Sequence, residues 1–154
     1  MDVYARMKEL GIDLGKPLTP MGLYKPCVEV LDGKLAFTSG NGCRKADTPM
    51  TTGKVGAEVS LEEAKACAAQ CAVNLLAALE SAIGDLNRVK RVVKILGFVA
   101  SAPDFYDHPK VINGASELLE KVFGENGVGA RSAIGVAALP ANMPVEIEMI
   151  VELK

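Results

Sequence analysis

The amino-acid sequence predicts an α+β domain in which one mixed β-sheet carries two long helices on one face. The first observation is the order of elements: strand, strand, helix, strand, helix, strand, strand. This order fits one sheet covered by a helical layer. The second is size and composition, because 154 residues with 49% hydrophobic and 23% charged side chains fit one globular domain. We therefore expect a single domain over 1–154, with 1–25 as an N-terminal extension.

The first part of the chain predicts a short helix, a turn-rich approach and a hairpin. Apolar side chains recur at helical spacing up to Gly11, and Pro and Gly then crowd the segment that leads to Tyr24. Asp32 and Gly33 predict a two-residue type I′ turn, because Gly adopts positive φ without steric cost. The predicted elements are a helix over 2–10, a turn-rich segment over 15–26, and strands over 27–31 and 34–39.

The middle of the chain predicts a long loop, a long helix and a central strand. Ser60 and Glu63 form a capping box, in which each side chain binds a free backbone amide at the helix start, and Gly84 ends the helix. The run over 88–100 is too apolar for a strand with both faces exposed to solvent. Gly97 within this run indicates a bulge or the close approach of another backbone. We place the loop over 40–59, the helix over 60–83 and the strand over 88–100.

The last part of the chain predicts a second helix and a closing hairpin. Asp107 or His108 is expected to cap this helix, with Pro109 in its first turn. Ala133 and Gly135 are small, and a sheet face lined by small residues suits packing on another copy. We therefore expect a homo-oligomer with pockets where the sheets of neighbouring subunits meet. The hairpin strands are placed over 131–138 and 145–152.

Composition and charge disfavour nucleic acid and membrane partners. The formal net charge is −2, and Lys and Arg are scattered along the chain rather than clustered. We find no uninterrupted apolar run of about 18 residues, and the N-terminus lacks the apolar core of a secretory signal. The expected location is the cytoplasm.

The four cysteines are interpreted as buried thiols rather than as a metal site. Cys67 and Cys71 are spaced to supply two ligands from one helix face, but zinc needs more donors. The single histidine, His108, is distant in sequence. Free cysteine is also among the residue types that are most often buried. We expect no metal at these thiols or elsewhere.

Arg131 is the first candidate for a ligand-binding residue. Its guanidinium is permanently charged and presents a planar fork that fits a carboxylate in two parallel hydrogen bonds. It stands at the start of the predicted closing hairpin, whose returning strand carries Glu146 and Glu148. The alternative is an ordinary arginine that is solvated or paired with a surface acid.

Several short motifs follow one another along most of the chain. They are 22–26 (Gly-Leu-Tyr-Lys-Pro), 38–40 (Thr-Ser-Gly), 52–56 (Thr-Gly-Lys-Val-Gly), 90–99, 110–116, 130–132 (Ala-Arg-Ser), 139–140 (Leu-Pro) and 145–148 (Val-Glu-Ile-Glu). Together they resemble the Rid superfamily, the YjgF-like reactive-intermediate or imine deaminases also known as endoribonuclease L-PSP. A longer N-terminus and a longer loop suggest a separate branch.

The resemblance implies a chorismate-mutase-like fold of the bacillus type, with a mixed six-stranded sheet, assembled as a homotrimer with clefts between subunits. It also implies hydrolysis of 2-imino or enamine acids to 2-keto acids and ammonia, with no cofactor. Arg131 would bind the substrate carboxylate and Glu146 would position the attacking water. Other positions that match the cleft of the family are Tyr24, Ser39 with Gly40, and Asn113.

One position departs from the family pattern. Archetypal deaminases carry a cysteine two residues after the arginine, whereas this chain has Ala133, which alters the shape and polarity of the pocket. Arg44 and Lys45 in the long loop could provide a second anchor for an anion, or could be solvated loop charges.

Three other candidate side chains have ordinary alternatives. Tyr24 could be a rim aromatic with a wet hydroxyl. Asn113 could face solvent on its helix. Glu148 could compete with Glu146 for the same role or raise its pKa, because both should share one face of the strand.

Three functions therefore remain open. The first is an imine deaminase, in which an arginine anchors the acid and a carboxylate orients one water. The second is a non-catalytic trimer that binds small carboxylate metabolites. The third is a ribonuclease, which ranks last because the chain lacks a basic stripe and a second histidine for acid–base work.

Overall fold

The computed structural model describes residues 2–45, 48 and 50–154 and combines three helices with a six-stranded sheet. Both long helices pack against each other and against the sheet. The elements are α1 (Val3–Glu9), β1 (Cys27–Val30), β2 (Leu35–Thr38), β3 (Asn41–Gly42), α2 (Leu61–Ile83), β4 (Val89–Ala100), α3 (His108–Phe123), β5 (Ala130–Val136) and β6 (Val145–Leu153). The predicted α+β class and mixed sheet are confirmed.

The sheet order is β1-β2-β6-β4-β5, and the short strand β3 also pairs with β6. β5 runs parallel to β4, while the other pairs are antiparallel. The prediction of a closing hairpin between 131–138 and 145–152 is therefore wrong. The inner face of β6 is apolar enough for a position in the middle of the sheet. β5 lies at the edge of the sheet and runs parallel to β4, because the chain crosses over through α3 between these two strands.

The two long helices cover one face of the sheet. The predicted capping box of α2 is present at Ser60 and Glu63, and Gly84 ends the helix in the left-handed conformation. By length and composition α2 could cross a membrane, but 61% of its apolar window is buried inside the protein. Apolar residues of β6 at every second position form the other half of this core: Val145, Ile147, Met149, Val151 and Leu153.

Two local predictions near chain turns are corrected by the structure. The β1–β2 connection has four residues, 31–34, instead of two, because Val30 pairs with Leu35 and the backbone keeps positive φ at Leu31, Asp32 and Gly33. Asp107 occupies the N-cap of α3, but its side chain makes no capping hydrogen bond and pairs with Lys110 at 3.1 Å.

Two predictions about small residues in the sheet also need correction. The ladder irregularities of β4 lie near its start, between Val89 and Lys94, and not at Gly97. Gly97 is required because a Cβ there would overlap the side chain of Ile112 on α3. Gly135 likewise faces His108 of α3, so the small residues of β5 lie on the helix-covered side of the sheet and not on its opposite side.

The opposite side of the sheet, which we call the open face, carries large apolar side chains. Val28, Val30, Phe37 and Ile134 are 37–44% exposed there. The register places Leu96, Phe98 and Ile150 of the central strands on the same side. Such a patch is typical of an interaction surface.

Candidate functional site

The site residues predicted from the sequence form two separate groups within one chain. Asn113 and Arg131 meet on the helix-covered side of the sheet, at its β5 edge. Tyr24, Ser39, Gly40 and Glu146 line one cavity. We call the first group the arginine cluster and the second the carboxylate cavity.

The arginine cluster holds the guanidinium of Arg131 by hydrogen bonds to α3. Its Nη1 atom donates to Asn113 Oδ1 at 2.8 Å and to Ser116 Oγ at 3.1 Å, and the side chain is half-buried. Asn113 therefore faces the arginine and not open solvent. Within the described part of the chain these two bonds are the only ones that the Arg131 side chain makes, which leaves Nη2 and Nε as donors for a carboxylate.

Ser116 is a site residue that the sequence analysis did not single out. It lies three residues after Asn113, and side chains at this spacing share one face of a helix. That spacing is the signal that could have identified it. Ala133 follows Arg131 on the same side of β5 and is partly buried against the core. It therefore sits beside the arginine cluster and not in the cavity.

The carboxylate cavity has a volume of about 430 Å³, which suits a small metabolite. Its floor is the start of β6 and the end of β2, and the N-terminal extension forms one wall. Arg44 also lines it, whereas Lys45 is exposed and is not among the lining residues. The apolar wall consists of Leu18, Pro20, Met21, Pro26, Pro140 and Met143.

Glu146 is the acidic group of this cavity. Burial raises the pKa of its carboxyl group, and the negative charge of Glu148 raises that pKa further. This agrees with the expectation that the two glutamates share one face. Gly40 lies so close that a Cβ at this position would overlap the Glu146 carboxylate. A methyl group at position 40 would therefore displace the carboxylate of Glu146 from its present position.

Tyr24 and Ser39 hold the N-terminal extension at the cavity. The Ser39 hydroxyl donates to the carbonyl of Lys25 at 2.7 Å, and the Ser39 amide donates to the carbonyl of Pro26 at 2.8 Å. The Tyr24 hydroxyl accepts from the Met21 amide at 3.2 Å, and its side chain is half-exposed. The ring of Tyr24 is thus available to a ligand, while the Ser39 side chain is engaged in the fold.

Arg131 and Glu146 do not meet within one chain. Arg131 pairs with Ile95, which faces the helices, whereas Glu146 pairs with Phe98 on the open face. By the strand register, Arg131 and Glu146 are separated by two strand spacings across the sheet, about 10 Å, and by three residues along the strands, about another 10 Å. A small substrate that contacts both groups needs one of them from a second subunit.

Comparison with known proteins agrees with this architecture. The family model described as "YjgF/chorismate_mutase-like, putative endoribonuclease" matches residues 4–153. Protein TCP17 of Trypanosoma cruzi is 40% identical over 152 residues, covering 98% of this chain and 94% of that protein. A 2-iminobutanoate/2-iminopropanoate deaminase of Dermatophagoides farinae is 31% identical over 136 residues, covering 88% of this chain and 89% of that protein.

Among solved structures, the protein Atu1372 of Agrobacterium tumefaciens, described as having unknown function, is 41% identical with a TM-score of 0.85. The match covers 98% of this chain and 91% of Atu1372. Sheet order and helical layer thus define a chorismate-mutase-like α+β protein. The chain belongs to the YjgF/endoribonuclease L-PSP family, within the Rid superfamily. The resemblance in its motifs is confirmed.

Proposed function

We propose that this protein hydrolyses reactive 2-imino or enamine acids to 2-keto acids and ammonia, in clefts between the subunits of a homotrimer. The observation that carries this proposal is that the candidate site residues of one chain form two separate groups. The arginine cluster lies on one side of the sheet and the carboxylate cavity on the other. The deaminase name of the Dermatophagoides farinae relative supports the same chemistry.

Each group has a role that follows from its chemistry. Arg131 of one subunit holds the substrate carboxylate through its two remaining nitrogen donors. Glu146 of the neighbouring subunit orients a water molecule and accepts its proton as the water oxygen attacks the imine carbon. The protonated Glu146 carboxyl then returns this proton to the nitrogen. The carbinolamine loses its hydroxyl proton, expels ammonia and leaves the keto acid. Positioned proton transfer of this kind contributes about 10² to 10⁴-fold.

The environment of Glu146 suits it to act as a general base. A carboxylate with an ordinary pKa is a weak base at neutral pH, and a raised pKa increases the driving force for proton transfer. The imine carbon is already electrophilic, so the reaction requires neither a metal nor an organic cofactor. The apolar wall of the cavity is expected to receive the side chain of the amino-acid-derived imine.

The test is complementation between two inactive variants. Arg131→Ala and Glu146→Gln are each expected to lose ammonia release from a freshly generated 2-imino acid. After the two variants are unfolded together and refolded, about one quarter of the clefts regain both intact residues, since each trimer assembles at random. Activity should return in the mixture and not when either variant is refolded alone.

Two results would contradict this function. A wild-type protein with no rate above buffer, but with calorimetric binding of a 2-keto acid that depends on Arg131, would identify a carboxylate-binding protein instead. Activity in the wild type without recovery in the mixture would place both residues in one subunit and remove the intersubunit site.

A further inference from the structure

The carboxylate cavity carries one positive charge, that of Arg44, which the proposed deamination does not use. Among the described residues that line the cavity, Arg44 and Glu146 are the only charged ones. From the sequence, this arginine could be either an anchor for an anion or a solvated loop charge. Three features of the structure favour the anchor.

The first feature is the fixed backbone from which the Arg44 side chain extends. The side-chain amide of Asn74, a buried residue of α2, donates to the carbonyls of Gly42 and Arg44, both at 2.8 Å. Asn74 Oδ1 in turn accepts from Gln70 Nε2 at 2.9 Å, which fixes the orientation of this amide. The Arg44 side chain is exposed, but its backbone is held at the cavity by the long core helix.

The second feature is that the guanidinium group of Arg44 has no protein partner. In the part of the chain that the structure describes, no hydrogen bond or ion pair involves this side chain. Glu146 does not neutralise it either, because burial and the charge of Glu148 both raise the pKa of Glu146 and no positive charge lowers it. The donors of Arg44 are therefore open to a ligand.

The third feature is the short separation between Arg44 and the group that would orient the attacking water. Gly42 pairs with Glu146 across β3 and β6, and Arg44 is two residues further along the chain. Two residues of backbone span at most about 7 Å. The long side chain of Arg44 can therefore meet the side chain of a substrate whose imine carbon lies at Glu146.

We propose that Arg44 determines substrate specificity by binding the second carboxylate of 2-imino dicarboxylic acids, the imines of aspartate or glutamate. This inference rests on the proposed function, because it names the substrate class of the same cavity. Arg131 of the neighbouring subunit holds the carboxylate beside the imine carbon, and Arg44 holds the carboxylate at the end of the side chain. The methylene groups between them lie along the apolar wall.

The charge of the cavity favours a carboxylate over a phosphate at this position. A single guanidinium fork matches the single charge and the planar shape of a carboxylate. A phosphate group carries up to two negative charges, and the described lining offers no second cation to pair with it. The expected ligand is therefore a dicarboxylic acid and not a phosphorylated one.

The experiment compares ammonia release from the freshly generated imines of aspartate and leucine. Both side chains have the same branched outline, but only that of aspartate ends in a carboxylate. The wild type should prefer the aspartate imine in kcat/KM. Arg44→Met, which removes the charge, should lower kcat/KM for this imine by about tenfold or more and change that for the leucine imine by less than about twofold. Arg44→Lys should recover part of the preference, because it restores the charge without the fork.

Lys45→Met is the matched control, because Lys45 is the adjacent cation in sequence, is exposed and is not among the described lining residues. This variant should keep the preference of the wild type. Three results would overturn the inference while leaving the deamination intact. These are equal kcat/KM of the wild type for the two imines, an equal loss for both imines in Arg44→Met, or the same change of preference in Lys45→Met.

A protein that turns over no imine would remove the proposed function but would still allow a test of Arg44. Calorimetry would then compare the binding of 2-oxoglutarate with that of 4-methyl-2-oxopentanoate, the keto acid of leucine. Tighter binding of the dicarboxylate that is lost in Arg44→Met supports the anchor. Equal affinity for the two keto acids, or a preference that Arg44→Met retains, contradicts it.

Discussion

At the scale of single residues, Glu146 is a carboxyl group whose charged form is disfavoured by two features of the fold. Burial and the neighbouring Glu148 both disfavour its charge, and Gly40 leaves its carboxylate just enough room. The protein tolerates this arrangement beside a cavity, as is common where a group is kept for chemistry.

The charge of Glu148 should be visible in the pH dependence of the reaction. Glu146 must be ionised to act as a base, so the acid limb of kcat/KM follows its pKa. Glu148→Gln removes the neighbouring negative charge and lowers that pKa. The acid limb should therefore move to lower pH, as measured by ammonia release across a pH series. A shift to higher pH would contradict this role of Glu148.

Glu146 should also cost the protein stability at neutral pH. Its folded pKa lies above its unfolded pKa, so between the two values the folded state binds more protons and the free energy of unfolding falls as pH rises. Glu146→Gln should raise the urea midpoint at neutral pH, with no such gain below the unfolded pKa. A lower midpoint at neutral pH would contradict this assignment.

Gly40 is expected to be essential for the geometry of the cavity. In Gly40→Ala the new methyl group displaces the Glu146 carboxylate, so activity should fall strongly while the far-ultraviolet spectrum stays native. Gly22→Ala is the matched control, because it lines the same cavity but its Cβ has ordinary contacts of 3.5 Å with the Tyr24 ring. Equal activity in the two variants would show that the carboxylate position does not matter.

At the scale of secondary-structure elements, the contact between α2 and α3 depends on a single missing side chain. Gly114 of α3 lies against the backbone carbonyl of Lys65 on α2, where a Cβ would collide. Ala is the better helix former by about 1 kcal/mol, so propensity and packing predict opposite signs for Gly114→Ala.

Packing should prevail because the opposing atom is backbone and cannot rotate away. Gly114→Ala is expected to lower the free energy of unfolding by about 1–3 kcal/mol in urea titrations. Glu120→Ala, at an exposed position on the same helix, should change it by less than about 0.5 kcal/mol. A stabilised Gly114→Ala protein would show that the two helices separate easily.

Sequence patterns predicted these elements well where the signal was local. The capping box of α2, its glycine stop and the short helix α1 depend on a few adjacent residues, and the structure confirms all of them. The four-residue turn at 31–34 was missed because a dipeptide signal does not specify the register of the strands that flank it.

At the scale of the whole molecule, the open face is the surface on which the proposed trimer depends. Ile134 is 44% exposed at the edge strand β5. Ile134→Asp should dissociate the oligomer, because a charge desolvated at an apolar interface has no partner, and activity should fall with it. Analytical ultracentrifugation and the deaminase assay measure both effects.

Val128→Asp provides the control, because Val128 is 62% exposed but lies outside the strands. It should keep the mass and activity of the wild type. An Ile134→Asp protein with unchanged mass, or a wild type that is a monomer, would show that the open face is not the interface. The intersubunit site would then lose its basis.

The sequence by itself determined the α+β class, the two long helices, the family and the identity of the candidate site residues. These depend on the local spacing of residues and on motifs that follow the order of the family along the chain. Only the tertiary structure decided that β4 and β6 are neighbours, that β5 is parallel to β4, and that Arg131 and Glu146 lie on opposite sides of the sheet. Strand pairing depends on burial across the whole sheet, and the pattern of residues close in sequence does not specify which strands become neighbours.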